Sequence, residues 1–332
     1  TISEICNAKA PISPTTALSL EKVFGRPAHF WLNLQRRYDE AQARAKEQER
    51  SAQWKTWATS FPLREMKKRG WFAQGLPHGE DVPALLGFLG VSSPQSWDRV
   101  WGAASVSYRQ TRKLAKSVEA ISAWVRATEL QADDIKVSNF SRERLVAAIE
   151  PLRRLTRMSI DSIEDPARQL CANAGVALVW IPELPHTGIS GCARWLTPTK
   201  AMIALTMRYK SDDQLWFTLF HEIAHVLLHL NKTSFVIDNP EEELSDGVVD
   251  PERQKFEDEA NRFAADTLVP PAELSSFIKG RDFGNDAIHD FAERIGVGPG
   301  LVVGRLQHEK LLAHHQGNAL KQRIALRVPD DE

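Results

Sequence analysis

The sequence predicts an α+β protein, a mostly helical chain with one small β-sheet packed against a helix that carries two histidines. Apolar residues recur at steps of three and four over most of the chain, which is the period of amphipathic helices. Three short apolar runs lie between residues 176 and 205, and their length and composition favour strands. The histidine-bearing helix follows the third run, so we expect it to lie on the sheet.

The composition indicates a globular protein of two or three domains. Of its 332 residues, 42% are hydrophobic and 26% are charged, and the formal net charge is -1. No unbroken apolar stretch is long enough for a membrane span, and the start shows no secretory pattern, so we expect a cytoplasmic protein without membrane contact. The near-zero charge argues against a general affinity for nucleic acid. Cys6, Cys171 and Cys192 lack metal-ligand spacing, so we expect buried reduced thiols.

Residues 1–35 are expected to form three short helices with tight connections. The first spans 1–8, and the second spans 15–23 with Ser13 as its N-cap and Gly25 as its stop signal. Pro27 suits the first turn of the third helix. Short helices joined in this way are typical of small helical DNA-binding modules.

Residues 2–25 and 30–35 resemble the second half of an Xre-type helix-turn-helix domain of the HigA-like antitoxin kind. The resemblance implies that residues 1–7 correspond to the recognition helix and that the two helices before it are missing. The chain begins at Thr1 without an initiator methionine, so we expect DNA binding to belong to a longer parent protein. The alternative is a small helical bundle that packs on the rest of the chain.

Residues 36–57 form a charged helical run that we interpret as a linker, because mixed acidic and basic residues favour a solvated face. Helical periodicity then continues to residue 159. The expected helices are 63–69, 82–89, 96–106, 109–127 and 142–155, with breaks at 75–77, 92–94 and Pro151. Trp71, Trp97, Trp101 and Trp124 fall on apolar faces and are expected in the core.

The sheet is expected to contain three strands. A helix at 166–174 ends at Gly175, and the first apolar run, 176–182, follows it. Residues 188–196 and 200–205 have the character of two further strands joined by a turn. The edge strand of such a sheet can pair with an extended peptide.

The strongest chemical pattern is the run His221-Glu222-Ile223-Ala224-His225. Positions four apart lie one turn above each other on a helix, so His221 and His225 present two imidazoles to one side. Apolar residues repeat at helical steps through residues 212–229, and Asp212 or Asp213 can cap the start. The pattern therefore predicts a two-histidine metal clamp on a buried helix.

Zinc is the metal that this clamp favours. Two imidazoles, one carboxylate and a water make a four-coordinate site with an open position. Glu222 adjoins the first histidine and supplies a general base for the water. Two simpler interpretations stay open: a core helix that carries histidines by chance, and a site that binds metal without catalysis.

A third protein ligand is expected on the helix at 256–271. Glu257 shares a helical face with Ala260 and Ala264, and small alanines permit close approach to another helix. Glu259 shares its side with charged residues, which is typical of a solvent-facing surface. The helical-face argument therefore favours Glu257 over Glu259.

Residues 216–229 and 257–264 resemble the ImmA/IrrE family of zinc metallopeptidases, and the resemblance spans about residues 175–271. The whole chain resembles the Xre–ImmA/IrrE fusion arrangement. The resemblance implies a gluzincin-like peptidase core, with Zn2+ held by His221, His225 and Glu257 and with Glu222 as the general base. It also implies a cytoplasmic endopeptidase that cleaves a transcriptional repressor. Ala224 departs from the family pattern, which most often has Gly there, and this small change leaves the ligation unaffected.

Stabilisation of an oxyanion is not assigned to one residue, and His229, Tyr209 and His186 are the candidates. His229 lies one turn beyond His225 and is better suited to a place in the core or to supporting a metal ligand. Residues 231–254 are rich in acids and are expected to form a mobile loop near the active cleft.

These observations divide the chain into five parts. They are a partial helix-turn-helix remnant (1–40), a linker helix (41–60), a helical middle domain (61–160), a zinc metallopeptidase domain (161–275) and a C-terminal helical region (276–332). The predicted function is a zinc endopeptidase that acts on a regulatory protein and is coupled to a DNA-binding module, in an arrangement that allows a homodimer. The alternative is a non-catalytic DNA-binding regulator or antitoxin whose metal pocket is structural or sensory. Glu222 favours the enzyme, because a structural pocket needs no base.

Overall fold

A computed structural model of the chain describes residues 2–71, 80–109, 117–185, 187–206, 210–229, 235–238 and 251–324. The chain forms two compact units, one ending at Pro94 and the other beginning at Gln95. Helices dominate both the described residues and the element order, and one small sheet is present, which confirms the α+β prediction. The boundary at Pro94 falls inside the range 61–160, and the five-part division stays a prediction.

The unit that ends at Pro94 is helical in its described part. Its helices are α1 (Ile2–Cys6), α2 (Pro14–Phe24), α3 (Ala28–Gln53), α4 (Lys55–Ala58), α5 (Leu63–Lys68) and α6 (Asp81–Leu89). Helix α2 begins where the Ser13 side chain accepts a hydrogen bond from the backbone N–H of Thr16. It ends at Gly25, which has a φ of 65° and therefore favours glycine. Both predicted signals of α2 are confirmed.

Helix α3 runs from the segment 27–35, which the sequence suggested was a separate helix, through most of the segment 36–57. Its 26 residues contain neither Gly nor Pro, so nothing local ends the helix before Gln53. Its charged residues lie on the exposed surface, where Arg44 pairs with Glu40 one turn away at 2.7 Å. The charged run therefore has the exposed face that was predicted, and its role as a linker stays a prediction.

The unit that begins at Gln95 contains most of the helices and the sheet. Its helices are α7 (Pro94–Arg109), α8 (Val118–Asp134), α9 (Arg142–Leu155), α10 (Glu164–Asn173), α11 (Asp212–Ala224), α12 (Pro251–Leu268), α13 (Pro271–Lys279), α14 (Asn285–Ile295) and α15 (Pro299–His308). Among the described helices of the chain, none combines the length and apolar character needed to cross a membrane.

Two helix predictions in this unit were wrong in detail. Helix α8 begins at Val118, whereas residue 109 closes α7. Pro151 lies inside α9 and does not break it. The proline removes the N–H that would bind the carbonyl of Ala147, and Ala147 is exposed, so water can replace that bond. In the unit that ends at Pro94, the predicted break at 75–77 lies outside the described residues.

The sheet has four strands where the sequence predicted three. They are β1 (Val176–Trp180), β2 (Gly191–Thr197), β3 (Lys200–Leu205) and β4 (Phe235–Asp238), in the order β1-β3-β2-β4. Strand β3 runs parallel to β1 and antiparallel to β2, and β4 pairs antiparallel with β2. Strand β4 and the first turn of α12 both fall within residues 231–254, so the prediction of one continuous loop there was wrong. The remainder of that range lies outside the described residues.

Helices cover both faces of the sheet. Gly191 in β2 faces Thr218 and Glu222 of α11, which confirms that the histidine-bearing helix lies on the sheet. Arg194, three residues further along β2, points to the other face and pairs with Glu129 of α8. Strand β1 is buried along its whole length, as expected for a strand covered on both sides.

The start of α11 is held by the C-terminal part of the chain. Asp212 and Asp213 lie in its first turn, and neither is the cap, which is Ser211. Asp212 Oδ1 accepts a hydrogen bond from the N–H of Gln322, and Asp213 pairs with Lys321 at 2.7 Å. The prediction that one of these aspartates caps the helix was therefore wrong, because both side chains bind groups from the distant segment.

The predicted core residues are mostly buried. Trp97, Trp101 and Trp124 are buried, whereas Trp71 is partly exposed and stacks on Phe88 with ring centroids 5.9 Å apart. Cys171 and Cys192 are buried free thiols, as expected, but Cys6 is exposed. Cys6 lies in α1, a helix of five residues without a buried face, which explains the difference.

Candidate metal centre

His221 and His225 project from the end of α11 into one space. Both side chains are buried, and their Nε2 atoms lie 2.9 Å apart. The chain continues from His225 to His229 as a π-helical turn, a feature that is frequent at functional sites. The structure therefore brings together the two imidazoles that the spacing of the motif predicts.

Glu257 reaches the same space from α12. Its Oε2 atom lies 3.2 Å from His221 Nε2 and 3.6 Å from His225 Nε2. Ala260 and Ala264 on this side of α12 are fully buried, so α12 packs closely on α11. Ligand atoms of His221, His225 and Glu257 all lie within 4.8 Å of one another.

The donor set fits a tetrahedral metal ion such as zinc. Zinc bonds to nitrogen and oxygen measure about 2.0–2.1 Å, so neighbouring ligand atoms of a tetrahedral site lie about 3.3 Å apart. The three separations in this site, 2.9, 3.2 and 3.6 Å, scatter around that value. Two imidazoles and one carboxylate also match the ligand types of catalytic zinc sites, which keep one position open.

The other ring nitrogen of each histidine has a protein partner, which orients its Nε2 toward the shared space. His221 Nδ1 lies 3.0 Å from Asn261 Oδ1, and His225 Nδ1 lies 3.2 Å from His229 Nδ1. Hydrogen bonds of this kind fix the ring and the tautomer of a metal-binding histidine. The rings are therefore held with their Nε2 atoms directed to one point.

The electrostatics of the site favour the forms that bind a cation. Burial alone would raise the pKa of Glu257, but hydrogen bonds and charges from His221 and His225 outweigh it and hold the pKa well below its usual range. Burial lowers the pKa of His225. An ionised carboxylate thus faces a neutral imidazole at neutral pH, as metal ligation requires.

Glu222 is fully buried on α11 next to the start of β2. A Cβ atom built on Gly191 would lie 2.5 Å from Glu222 Oε1 and 2.7 Å from Thr218 Cγ2, so only glycine fits against this carboxylate. The neighbouring Cys192 thiol has its pKa raised by burial and by the charge of Glu222. The strand backbone thereby forms one wall beside the predicted base.

His229 packs behind His225, away from the shared space. Its side chain is 3% exposed, its Nε2 atom lies 2.8 Å from Glu259 Oε2, and its ring stacks on Phe256. Both ring nitrogens thus have protein partners, so His229 supports His225 and offers no N–H to an oxyanion. The other two candidates for that role, His186 and Tyr209, lie outside the described residues.

Sequence reasoning missed three contributors to the site. Asn261 follows Glu257 by four residues, so its place on the same face of α12 was available from the spacing alone. Glu259 was taken as solvent-facing, whereas it is partly exposed and binds His229. No local pattern marked Gly191, because its role depends on the approach of β2 to α11.

A comparison with protein families finds a match over the segment that contains these residues. Residues 184–307 match the Peptidase_M78 family, which is described as the IrrE N-terminal-like domain. The match contains His221, Glu222, His225 and Glu257 and supports the ImmA/IrrE part of the resemblance. No curated protein matches the chain. The segment 184–307 is therefore similar to a metallopeptidase-type domain.

Proposed function

We propose that this protein is a zinc-dependent endopeptidase that cleaves a regulatory protein such as a transcriptional repressor. The observation that carries the proposal is the convergence of His221, His225 and Glu257 within 4.8 Å, with the fully buried Glu222 next to His221 on α11. The match of residues 184–307 to a peptidase family supports it. Burying a charged carboxylate is costly, so the complete burial of Glu222, which adjoins His221 in the sequence, favours a chemical role for it.

In this proposal the three clustered side chains hold the metal and Glu222 moves the proton. A bound zinc ion would lower the pKa of a coordinated water and polarise the scissile carbonyl. The Glu222 carboxylate accepts the proton of the attacking water and returns it to the amine nitrogen of the leaving peptide. Asn261 and His229 hold the two imidazoles in place during this exchange.

Three details of the proposal rest on the resemblance to the Xre–ImmA/IrrE arrangement. They are a repressor as the protein substrate, a cytoplasmic location, and DNA binding through an Xre-type module in the full-length parent protein. A homodimer is compatible with them. A non-catalytic DNA-binding regulator or antitoxin with a structural or sensory metal pocket is the competing function, and the presence of a general base argues against it.

The test is the substitution Glu222→Gln, which keeps the shape of the side chain and removes its basicity. We expect the variant to bind zinc like the wild type and to lose cleavage by at least about 100-fold, the lower range of general acid–base contributions. Mass spectrometry of candidate repressors after incubation with the zinc-loaded protein measures the cleavage. Asp258→Asn is a matched control, because Asp258 is an exposed carboxylate on α12 that binds only Gln254 among the described contacts. Zinc-dependent biology that is unchanged by Glu222→Gln would instead support the regulator.

A further inference from the structure

We propose that His229 and Glu259 fix the position of the proton on His225, so that its Nε2 lone pair is kept for the metal. The inference rests on the proposed metal site and adds two positioning residues to it. The structure places His225, His229 and Glu259 in one hydrogen-bonded chain, with Nδ1 to Nδ1 at 3.2 Å and Nε2 to Oε2 at 2.8 Å.

The chemistry of neutral imidazole determines where each proton lies. One ring nitrogen of a neutral histidine is a donor and the other is an acceptor. If His225 Nε2 binds a metal, the proton of His225 sits on Nδ1, and His229 Nδ1 must accept it. The proton of His229 then sits on Nε2 and is donated to Glu259. Each link has only one consistent assignment.

Glu259 sets this order because a carboxylate can only accept a hydrogen bond. A donor at its position would require His229 Nε2 to be the acceptor and would move the proton of His229 to Nδ1. Two N–H groups would then face each other between His229 and His225, or His225 would carry its proton on Nε2 and lose its lone pair for the metal. The residue at position 259 thus determines, through the rings of His229 and His225, whether His225 Nε2 is free to bind the metal.

The surroundings of His229 hold it in this role. The ring stacks on Phe256 with centroids 4.6 Å apart and an interplanar angle of 23°. The π-helical turn places His229 behind His225, and Arg142 donates a hydrogen bond to the carbonyl of Leu227 inside that turn. His221 has a different support, since the Asn261 amide carries both a donor and an acceptor and can suit either tautomer. Of the two histidines, only His225 depends on a partner, Glu259, that accepts hydrogen bonds and cannot donate them.

The experiment compares Glu259→Gln with Glu259→Lys. The glutamine keeps an accepting oxygen, so we expect its zinc and cobalt dissociation constants to stay within about threefold of the wild type. The lysine offers only donors, and we expect metal affinity to fall about 10–100-fold, the usual effect of losing a supporting partner. Competition with a chromophoric chelator measures both constants, and the visible absorption of the cobalt form shows whether the ligand set is kept.

Asp258→Lys is the control for charge. It makes the same change of charge one residue away, on an exposed side chain of α12. We expect it to keep the wild-type metal affinity, which separates a general electrostatic effect from the reversal of one hydrogen bond. Thermal unfolding of the metal-free variants shows whether each one folds.

Nitrogen-15 NMR of the histidine rings reads the tautomers directly in the zinc-loaded wild type. We expect the proton of His229 on Nε2 and that of His225 on Nδ1. A His229 proton on Nδ1, or unchanged metal affinity in folded Glu259→Lys, would overturn the inference. Failure of the proposed function looks different: a zinc-loaded wild type that cleaves no candidate repressor refutes the peptidase, and cleavage that is unchanged by Glu222→Gln refutes Glu222 as the general base.

Discussion

At the scale of single residues, the site depends on how closely the strand backbone approaches the predicted base. Gly191 in β2 leaves no room for a side chain between the strand and Glu222, whereas Ala193, on the same face of the strand, packs in the core. Glycine at this position therefore sets the place of the carboxylate relative to the metal ligands. The site therefore requires glycine at position 191, although glycine carries no reactive group.

This close approach predicts the effect of Gly191→Ala. The added methyl group would lie 2.5 Å from Glu222 Oε1, so we expect the carboxylate to move while the three metal ligands stay in place. Cleavage should fall about 100-fold, because a displacement of about 1 Å can cost that much, and zinc binding should be retained. Kinetics of repressor cleavage and zinc content measure the two effects. Gly87→Ala is the control, since its Cβ would meet nothing within 4 Å; equal cleavage by both variants would contradict the prediction.

The sequence predicted those candidate-site residues whose common face follows from the spacing along a single helix. The spacing of His221 and His225 fixes their common face, and the face of α12 favours Glu257. The partnership of His229 with Glu259 depends on the placement of α12 against the π-helical turn, which no local pattern contains. A single helix projection therefore assigned Glu259 to solvent, although its carboxylate binds His229 of the π-helical turn that follows α11.

At the scale of elements, the start of α11 is a junction with the C-terminal segment. Gly300 and Gly304 of α15 lie against the carboxylates of Asp212 and Asp213, where a Cβ would approach within 2.6 Å. Ile324 N–H donates to the carbonyl of Lys210 beside them. The metal-binding helix is thus anchored at its first turn by residues that lie about a hundred positions later in the sequence.

This junction predicts a pH dependence of stability. Burial, reinforced by the charge of Asp213, raises the pKa of Asp212 from 3.8 to about 6. In the unfolded chain Asp212 loses its proton near its ordinary pKa, whereas in the folded chain it keeps the proton up to about pH 6. The unfolded state therefore binds fewer protons in this window, and the free energy of unfolding falls as pH rises from about 4 to about 6, by roughly 2 kcal/mol from this residue.

Asp212→Asn tests that dependence. The variant keeps an oxygen that can accept the hydrogen bond of Gln322 N–H but cannot ionise. We expect its stability advantage over the wild type to be near zero at about pH 4 and to grow to roughly 2 kcal/mol at about pH 7. Urea unfolding of the metal-free proteins at both values measures the difference. A gap that is constant with pH, or larger at the acidic value, would be inconsistent with the raised pKa.

Elements with strong local signals were predicted well. Helix α9 has Ser141 as its cap and has the predicted bounds, and α14, in the region predicted to be helical, ends at a glycine with positive φ. Elements that depend on distant partners were not. Strand β4 has only four residues and is a strand because it pairs with β2. Its own sequence is therefore too short to predict it.

At the scale of the whole molecule, every residue of the candidate site lies in the unit that begins at Gln95. The match to the peptidase family, 184–307, falls inside the same unit. The proposed chemistry therefore needs no residue from the unit that ends at Pro94. The assignment of a DNA-binding remnant to residues 1–40 stays a prediction, because helical periodicity shows that helices form and does not show what they bind.

The central claim is that His221, His225 and Glu257 bind one zinc ion. Diffraction measured at the zinc absorption edge, on crystals of protein loaded with one equivalent of zinc, tests it most directly. We expect a single anomalous peak about 2.0–2.2 Å from His221 Nε2, His225 Nε2 and a carboxylate oxygen of Glu257. A peak at any other group of residues, or no peak between these three side chains, would contradict the account.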